Sequence, residues 1–289
     1  MTTRTRPNPQ TRAGFSLLEV IVVVAIVAIL IALLLPAIVA ARQSAALVKS
    51  TNNLRQIDLA MLHYHDVQKP GYLAPPTSSG DGVTGSSIFE LILPYIEAEP
   101  SAGIDPLSND WPPEVKTYRS PSDPSWDAKP FYSGIKPRCS YVFNIGTVAN
   151  GLSIPFAIPD GTSSTIAFCE SYHHSQKRDQ HLSYTWVLHA SNPNMSGGTR
   201  RASFADAGWG DVVPVSDGQG NTVPSVPGVT FQYMPAVKDA VSFVPKTPHR
   251  AGLPVALFDG SVRTLKPSIS ERVYWALVTH NGGEVIGSY

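Results

Sequence analysis

Residues 14–41 read GFSLLEVIVVVAIVAILIALLLPAIVAA. From Phe15 onward these 27 residues hold one charge, Glu19, and residues 20–35 are apolar without a break. A bilayer core takes about 20 apolar residues of helix, so this stretch predicts a spanning helix over 15–41. The preceding residues 1–14 carry Arg4, Arg6 and Arg12 and no acid. Basic flanks stay on the cytoplasmic side, which places the rest of the chain across the membrane. An ordinary secretory signal has its small-residue cut site after the apolar run. Here the small residue, Gly14, comes before it, and an acid follows five residues later. A carboxylate inside a membrane costs about 2.5–3.5 kcal/mol on insertion scales and is functional by default. The plainer alternative is a signal anchor with Glu19 near the interface.

The helical pattern continues past the apolar run. Across 42–66 (RQSAALVKSTNNLRQIDLAMLHYHD), Leu47, Leu54, Ile57, Met61 and Tyr64 recur at spacings of 7, 3, 4 and 3, an amphipathic stripe. Arg55, Gln56 and Asp58 fall off it. Lys69-Pro70-Gly71 reads as the stop. A helix over 15–66 would be roughly 78 Å long at 1.5 Å per residue. Pro36 removes one i→i−4 hydrogen bond, so a kink or local melting is expected there.

The whole chain of 289 residues is 43% hydrophobic and 15% charged, with 22 basic and 22 acidic residues. Zero net charge excludes a dedicated nucleic-acid binder, which would show a basic excess. Without the three leader arginines, 19 basic residues face 22 acidic ones. Of 26 prolines, 23 lie from Pro70 onward, so short strands and turns should dominate there. Strand candidates are 140–145, 164–170, 182–189, 255–258 and 261–265, the last two forming a hairpin around a two-residue Asp259-Gly260 turn. Residues 87–97 suggest a short helix or packed loop. Residues 268–280 suggest a helix capped by Ser268 or Ser270, with Val273, Leu277 and Trp275 inward. A last short strand should follow Glu284. Residues 77–87 and 192–222 read as surface loops.

Gly14-Phe15-Ser16-Leu17-Leu18-Glu19-Val20 resembles the class III prepilin signature of type IV pilins and type II secretion pseudopilins. The resemblance implies cleavage between Gly14 and Phe15 by a prepilin peptidase, and N-methylation of Phe15. It implies that Glu19 pairs with the α-amino group of a neighbouring subunit's Phe15, which agrees with the need to pair charges in a low-dielectric bundle. Pro36 falls where many pilins carry a helix-bending proline. Partners implied are the peptidase/methylase, like or homologous subunits, an inner-membrane assembly platform and membrane lipid.

Further blocks resemble the prepilin-like family marked by an H-X9-DG motif. His249 is followed by nine residues and then Asp259-Gly260. The segment 52–57 with His63-Tyr64-His65-Asp66, Leu93-Pro94-Tyr95-Ile96-Glu97, Asp160-Gly161-Thr162-Ser163-Ser164-Thr165 and Gly282-Gly283-Glu284 resemble its other blocks. Arg119-Ser120-Pro121-Ser122-Asp123-Pro124 resembles its CPSD block, with Ser120 in place of the cysteine. That departure removes the basis for a disulfide or metal role of the block here. The match implies architecture and export route more than chemistry.

His249 and Asp259 can bind metal, orient a nucleophile or fix a loop, and the structural reading is preferred because Asp-Gly is a favoured turn dipeptide. Calcium is the metal alternative, as in some major pseudopilins. It takes 6–8 oxygens, for which Asp259, Asp239 and Asp160 are available without a dense acidic loop. His173, His174 and His181 lie off zinc spacing, among charges, and read as a solvated loop. His63 and His65, two apart, point different ways on a helix and bound its end. Cys139 and Cys169 allow one bridge in an oxidising compartment, or two buried thiols. There is no G-x-S-x-G elbow and no phosphate loop.

The fold expected is α+β and pilin-like. It comprises a leader (1–14), a transmembrane helix segment (15–41), its amphipathic continuation (42–69) and a β-rich head (70–289) in the periplasm or outside. The expected function is a processed, non-enzymatic filament subunit anchored in the inner membrane, with no resident cofactor. The alternatives are a membrane-anchored binding module using 192–222 to hold a secretion substrate or surface ligand, and, last, an envelope metal enzyme built on His249 and Asp259.

Overall fold

The computed structural model describes residues 17–67, 87–96, 114–127, 138–144, 158–175, 182–185, 199–201, 203–204, 213–216, 222–225, 230–241 and 244–283. Gly14, Phe15, His181, the expected loop 77–86 and the expected strand after Glu284 lie outside them. The chain divides into two units, Met1–Ser44 and Ala45–Tyr289. One helix, α1 (Leu17–Val67), belongs to both.

In the first unit, residues 17–44 are helical and exposed throughout. By length and composition this stretch can cross a membrane. The helix runs unbroken through Pro36, so the local melting expected there is absent. One lost hydrogen bond is a local cost, and the Leu- and Ala-rich turns on either side are good helix formers.

In the second unit, α1 buries Leu54, Ile57, Met61 and Tyr64 of the stripe read from the spacing, and Ala60 besides; Leu47 is half-buried. Asp58 corrects that reading. It is fully buried, because it sits four residues after Leu54 and three before Met61, on the inner face of the helix.

The fold is α+β. The short α2 (Ile88–Leu91) and a 3-10 turn Leu93–Tyr95 follow α1. Then come β1 (Tyr141–Asn144), β2 (Ile166–Glu170), β3 (His174–Ser175), β4 (Leu182–Thr185), β5 (Thr199–Arg201) and β6 (Ser203–Phe204). The chain continues with β7 (Val213–Ser216), β8 (Thr222–Ser225), β9 (Gln232–Tyr233), β10 (Lys246–Thr247), β11 (Leu253–Leu257), β12 (Val262–Leu265) and α3 (Glu271–Val278). The main sheet has the order β12-β11-β2-β1-β6 and is antiparallel except for the short parallel pair β1–β6. Three small sheets hold β3-β4-β5, β7-β8 and β9-β10. Strands β5, β6 and β7 fall inside 192–222, which corrects the reading of that stretch as loop. Strands of two or three residues show too few side chains to betray a period of two, and β7 carries Pro214, which speaks against a strand.

Every residue of β1, β2 and β11 is buried, as expected when both faces of a sheet are covered. On one face Tyr141 Oη accepts from Asn53 Nδ2 of α1 at 3.1 Å, and Phe168 packs edge-on against Phe89 of α2. Three residues on, Asn144 points the opposite way and donates to Val278 O of α3 at 2.8 Å. Helices α1 and α3 thus cover opposite faces. Ser270 caps α3, accepting from Val273 N at 3.4 Å. Tyr274 and Leu277 are buried, while Val273 and Trp275 are only partly so.

The β11–β12 hairpin forms as expected, but its turn has three residues, Phe258-Asp259-Gly260. Gly260 N donates to Leu257 O at 3.0 Å and Leu257 N to Ser261 O at 2.9 Å. Gly260 holds φ +86°, the left-handed residue that closes a three-residue hairpin loop.

Candidate functional site

Glu19 lies in the first turn of α1, in the exposed apolar stretch. It is acidic in the place where the N-terminal end of the helix dipole favours an acid.

The H-X9-DG spacing has a simple structural content. His249 O accepts from Gly252 N at 3.2 Å, closing a turn. The five residues of β11 and Phe258 complete the nine, and Asp259-Gly260 follows. His249 and Asp259 therefore stand at opposite ends of β11, about 17 Å apart at 3.3–3.4 Å per residue. The expected His249–Asp259 pair does not form.

His249 instead meets Glu170, the last residue of β2. Its Nε2 lies 3.1 Å from Oε2 and 3.3 Å from Oε1. Both side chains are buried, and Ser120 Oγ donates to Oε1 of the same carboxylate. Ser120, where the resembling family has cysteine, thus has a hydrogen-bonding role. Just after β2, Ser171 Oγ accepts from the buried Lys246 Nζ at 3.2 Å. Sequence reading missed Glu170 and Lys246. An acid closing the apolar strand Ile166–Glu170 was the available signal.

A second hub is the half-buried Asp123. Its Oδ1 accepts from Ser125 N and Oγ at 2.9 and 2.6 Å, and its Oδ2 from Ser140 Oγ and His173 N, both at 2.7 Å. Burial pushes its pKa up, and these hydrogen bonds offset part of that rise. His173 and His174 are fully buried beside it, which corrects their reading as a solvated loop. His65 is also buried while His63 is exposed, consistent with two residues on different helix faces.

Asp160 ties two other blocks together. Its Oδ2 accepts from Gly282 N at 2.7 Å and its Oδ1 from Gly283 N at 2.9 Å. Gly161 follows at φ +95°. Asp239 sits in a 3-10 turn, Val237–Asp239. Among the described residues, no three His, Cys, Asp or Glu side chains gather to hold a metal, so Asp160, Asp239 and Asp259 make no common calcium site.

Cys139 and Cys169 are free and buried. The register sets Cys169 opposite Val142, and Ser171 N continues the ladder to Ser140 O at 2.9 Å. Cys139 is therefore three positions along, on the order of 10 Å away, beyond the reach of a disulfide. Cys139 Sγ donates to Tyr141 O at 3.1 Å, and burial pushes both thiol pKa values up.

These contacts are locks between segments, and the one that joins Glu170 to His249 is buried. No curated protein and no solved structure matches the chain. Residues 10–35 match the family described as the prokaryotic N-terminal methylation motif, typical of prepilin and type IV pilin-like proteins.

Proposed function

We propose that this chain is a pilin-like or pseudopilin-like filament subunit of the cell envelope. One observation carries the reading: the methylation motif at 10–35 runs directly into a helix that is apolar, exposed from residue 17 to 44 and long enough to span a bilayer. On this reading 1–14 is a leader, 15–41 spans the inner membrane, 42–69 continues the helix and 70–289 is the head across the membrane. A prepilin peptidase cuts between Gly14 and Phe15, and Phe15 is N-methylated. The spanning helix then leaves lipid for a bundle of like helices. There Glu19 pairs with the α-amino group of a neighbouring Phe15, since a charge in a low-dielectric bundle is tolerated when paired. The chain's role is assembly, with the prepilin peptidase and methylase, like subunits and a membrane platform as its partners.

Mass spectrometry of the mature N-terminus tests processing. An N-methylated Phe15 is expected, and a retained Met1 or a cut beyond Ala37 overturns the reading. Cross-linking in cells tests assembly. Wild type is expected to give ladders that Glu19→Ala removes while processing continues, and undiminished ladders from Glu19→Ala overturn the role of Glu19.

A further inference from the structure

The β11–β12 turn is seated on α1. A Cβ on Gly260 would lie 3.6 Å from Leu62 Cδ1, 3.9 Å from Asp58 Oδ2 and 3.9 Å from Leu59 Cδ2. Beneath the turn, Asp58 is 0% exposed and neither carboxylate oxygen has a hydrogen-bond partner. The Gly260 amide acts favourably on it, but that N–H is committed to Leu257 O. Asp259 precedes Gly260 in the turn, and its like charge disfavours ionisation of Asp58. Asp259 is exposed, and its Oδ1 accepts from Ser261 N at 2.9 Å. One sealed and unpartnered carboxylate therefore lies under a turn that carries a second one open to water.

We propose that Asp58 and Asp259 hold a hard divalent cation, of the calcium or magnesium class, which clamps the β11–β12 turn to helix α1. A cation cancels the repulsion and supplies the partner that a buried carboxylate needs. The donors are carboxylate oxygens, the set that hard cations take, and water on the Asp259 side completes the shell. Zinc, which favours nitrogen and sulfur, finds no such ligands in the pair. Two carboxylates completed by water belong to the weak class, with dissociation constants on the order of 0.1–1 mM, as in extracellular calcium modules. This clamp goes beyond the filament reading and does not depend on it.

The test is thermal unfolding of the full chain in non-ionic detergent micelles, first with chelator and then titrated with CaCl2 or MgCl2. Wild type is expected to gain about 3–5 °C, saturating at roughly tenfold the dissociation constant. Asp58→Asn and Asp259→Asn are each expected to lose the saturable gain. Asp259→Asn keeps a favoured Asn-Gly turn, so it reports even where Asp58→Asn folds poorly. No gain with either ion in the wild type overturns the proposal, as does an equal gain in Asp259→Asn.

Discussion

His249 Nε2 lies 3.1 Å from Glu170 Oε2, although 79 residues separate them. The contact joins the turn before β11 to the end of β2, and Ser120 adds a third segment through the same carboxylate. Removing one partner of a buried pair leaves an uncompensated polar group, at about 3–5 kcal/mol. Glu170→Ala and His249→Ala should each destabilise the fold by that amount, measured by urea unfolding followed through fluorescence. The double variant should cost less than the two together, because the residues share one interaction. A loss below about 1 kcal/mol in either single variant would mean that the pair holds nothing together.

Gly252 separates backbone conformation from crowding. It holds φ +126°, and a Cβ there would lie 2.0 Å from Leu265 O on β12. Gly161 also has positive φ, +95°, but its Cβ would meet nothing closer than Ser164 Oγ at 3.9 Å. Gly161→Ala should cost about 1–2 kcal/mol, the strain of a left-handed residue. Gly252→Ala should cost clearly more, since the hairpin must open to admit the methyl. Equal costs in paired melts would show that the β11–β12 edge yields freely.

How much was legible follows from the range of each signal. Helix α1 was readable because its apolar run is unbroken and its stripe repeats at 3 and 4. Strands β1, β2 and β11 were readable as short β-branched or aromatic runs between turn residues, and β12 as the hairpin partner across Asp259-Gly260. The two-residue strands β3, β6, β9 and β10 were not, since backbone pairing alone defines them. His249 and Asp259 looked like partners because they are near in sequence, but an extended strand carries its ends apart. Glu170–His249 depends on β2 and β11 pairing with Cys169 opposite Val255, a register that no local pattern reveals. Asp58 left a signal in its i+4 spacing from Leu54, but an acid at a core position reads as surface.

The two cysteines should be chemically silent in the folded chain. Both are buried, and burial holds each thiol far above its ordinary pKa, while the thiolate is the reactive form. Neither should react with a maleimide at pH 7.5 in the folded protein, and both should react after denaturation. A reductant should leave the melting temperature unchanged, because no bridge joins them. Two free thiols missing from the denatured, unreduced protein would contradict the register between β1 and β2.

Asp58 should contribute a pH dependence of stability opposite in sign to ordinary acid denaturation. Burial first, then the like charge of Asp259, raises the Asp58 pKa well above the usual carboxylate range, against a smaller lowering by the Gly260 amide. The folded state then binds a proton that the unfolded chain has released, so stability falls as pH rises from about 4, the unfolded value, towards the folded pKa. Asp123, raised by burial, acts with the same sign. In chelator, melting temperatures measured upward from pH 4 should therefore carry a downward contribution that Asp58→Asn removes, leaving the smaller share of Asp123. If Asp58→Asn instead steepens the fall, Asp58 is ionised and satisfied in the folded protein. Divalent cation should have the opposite effect on wild type and flatten the slope, because a bound ion replaces the proton on Asp58.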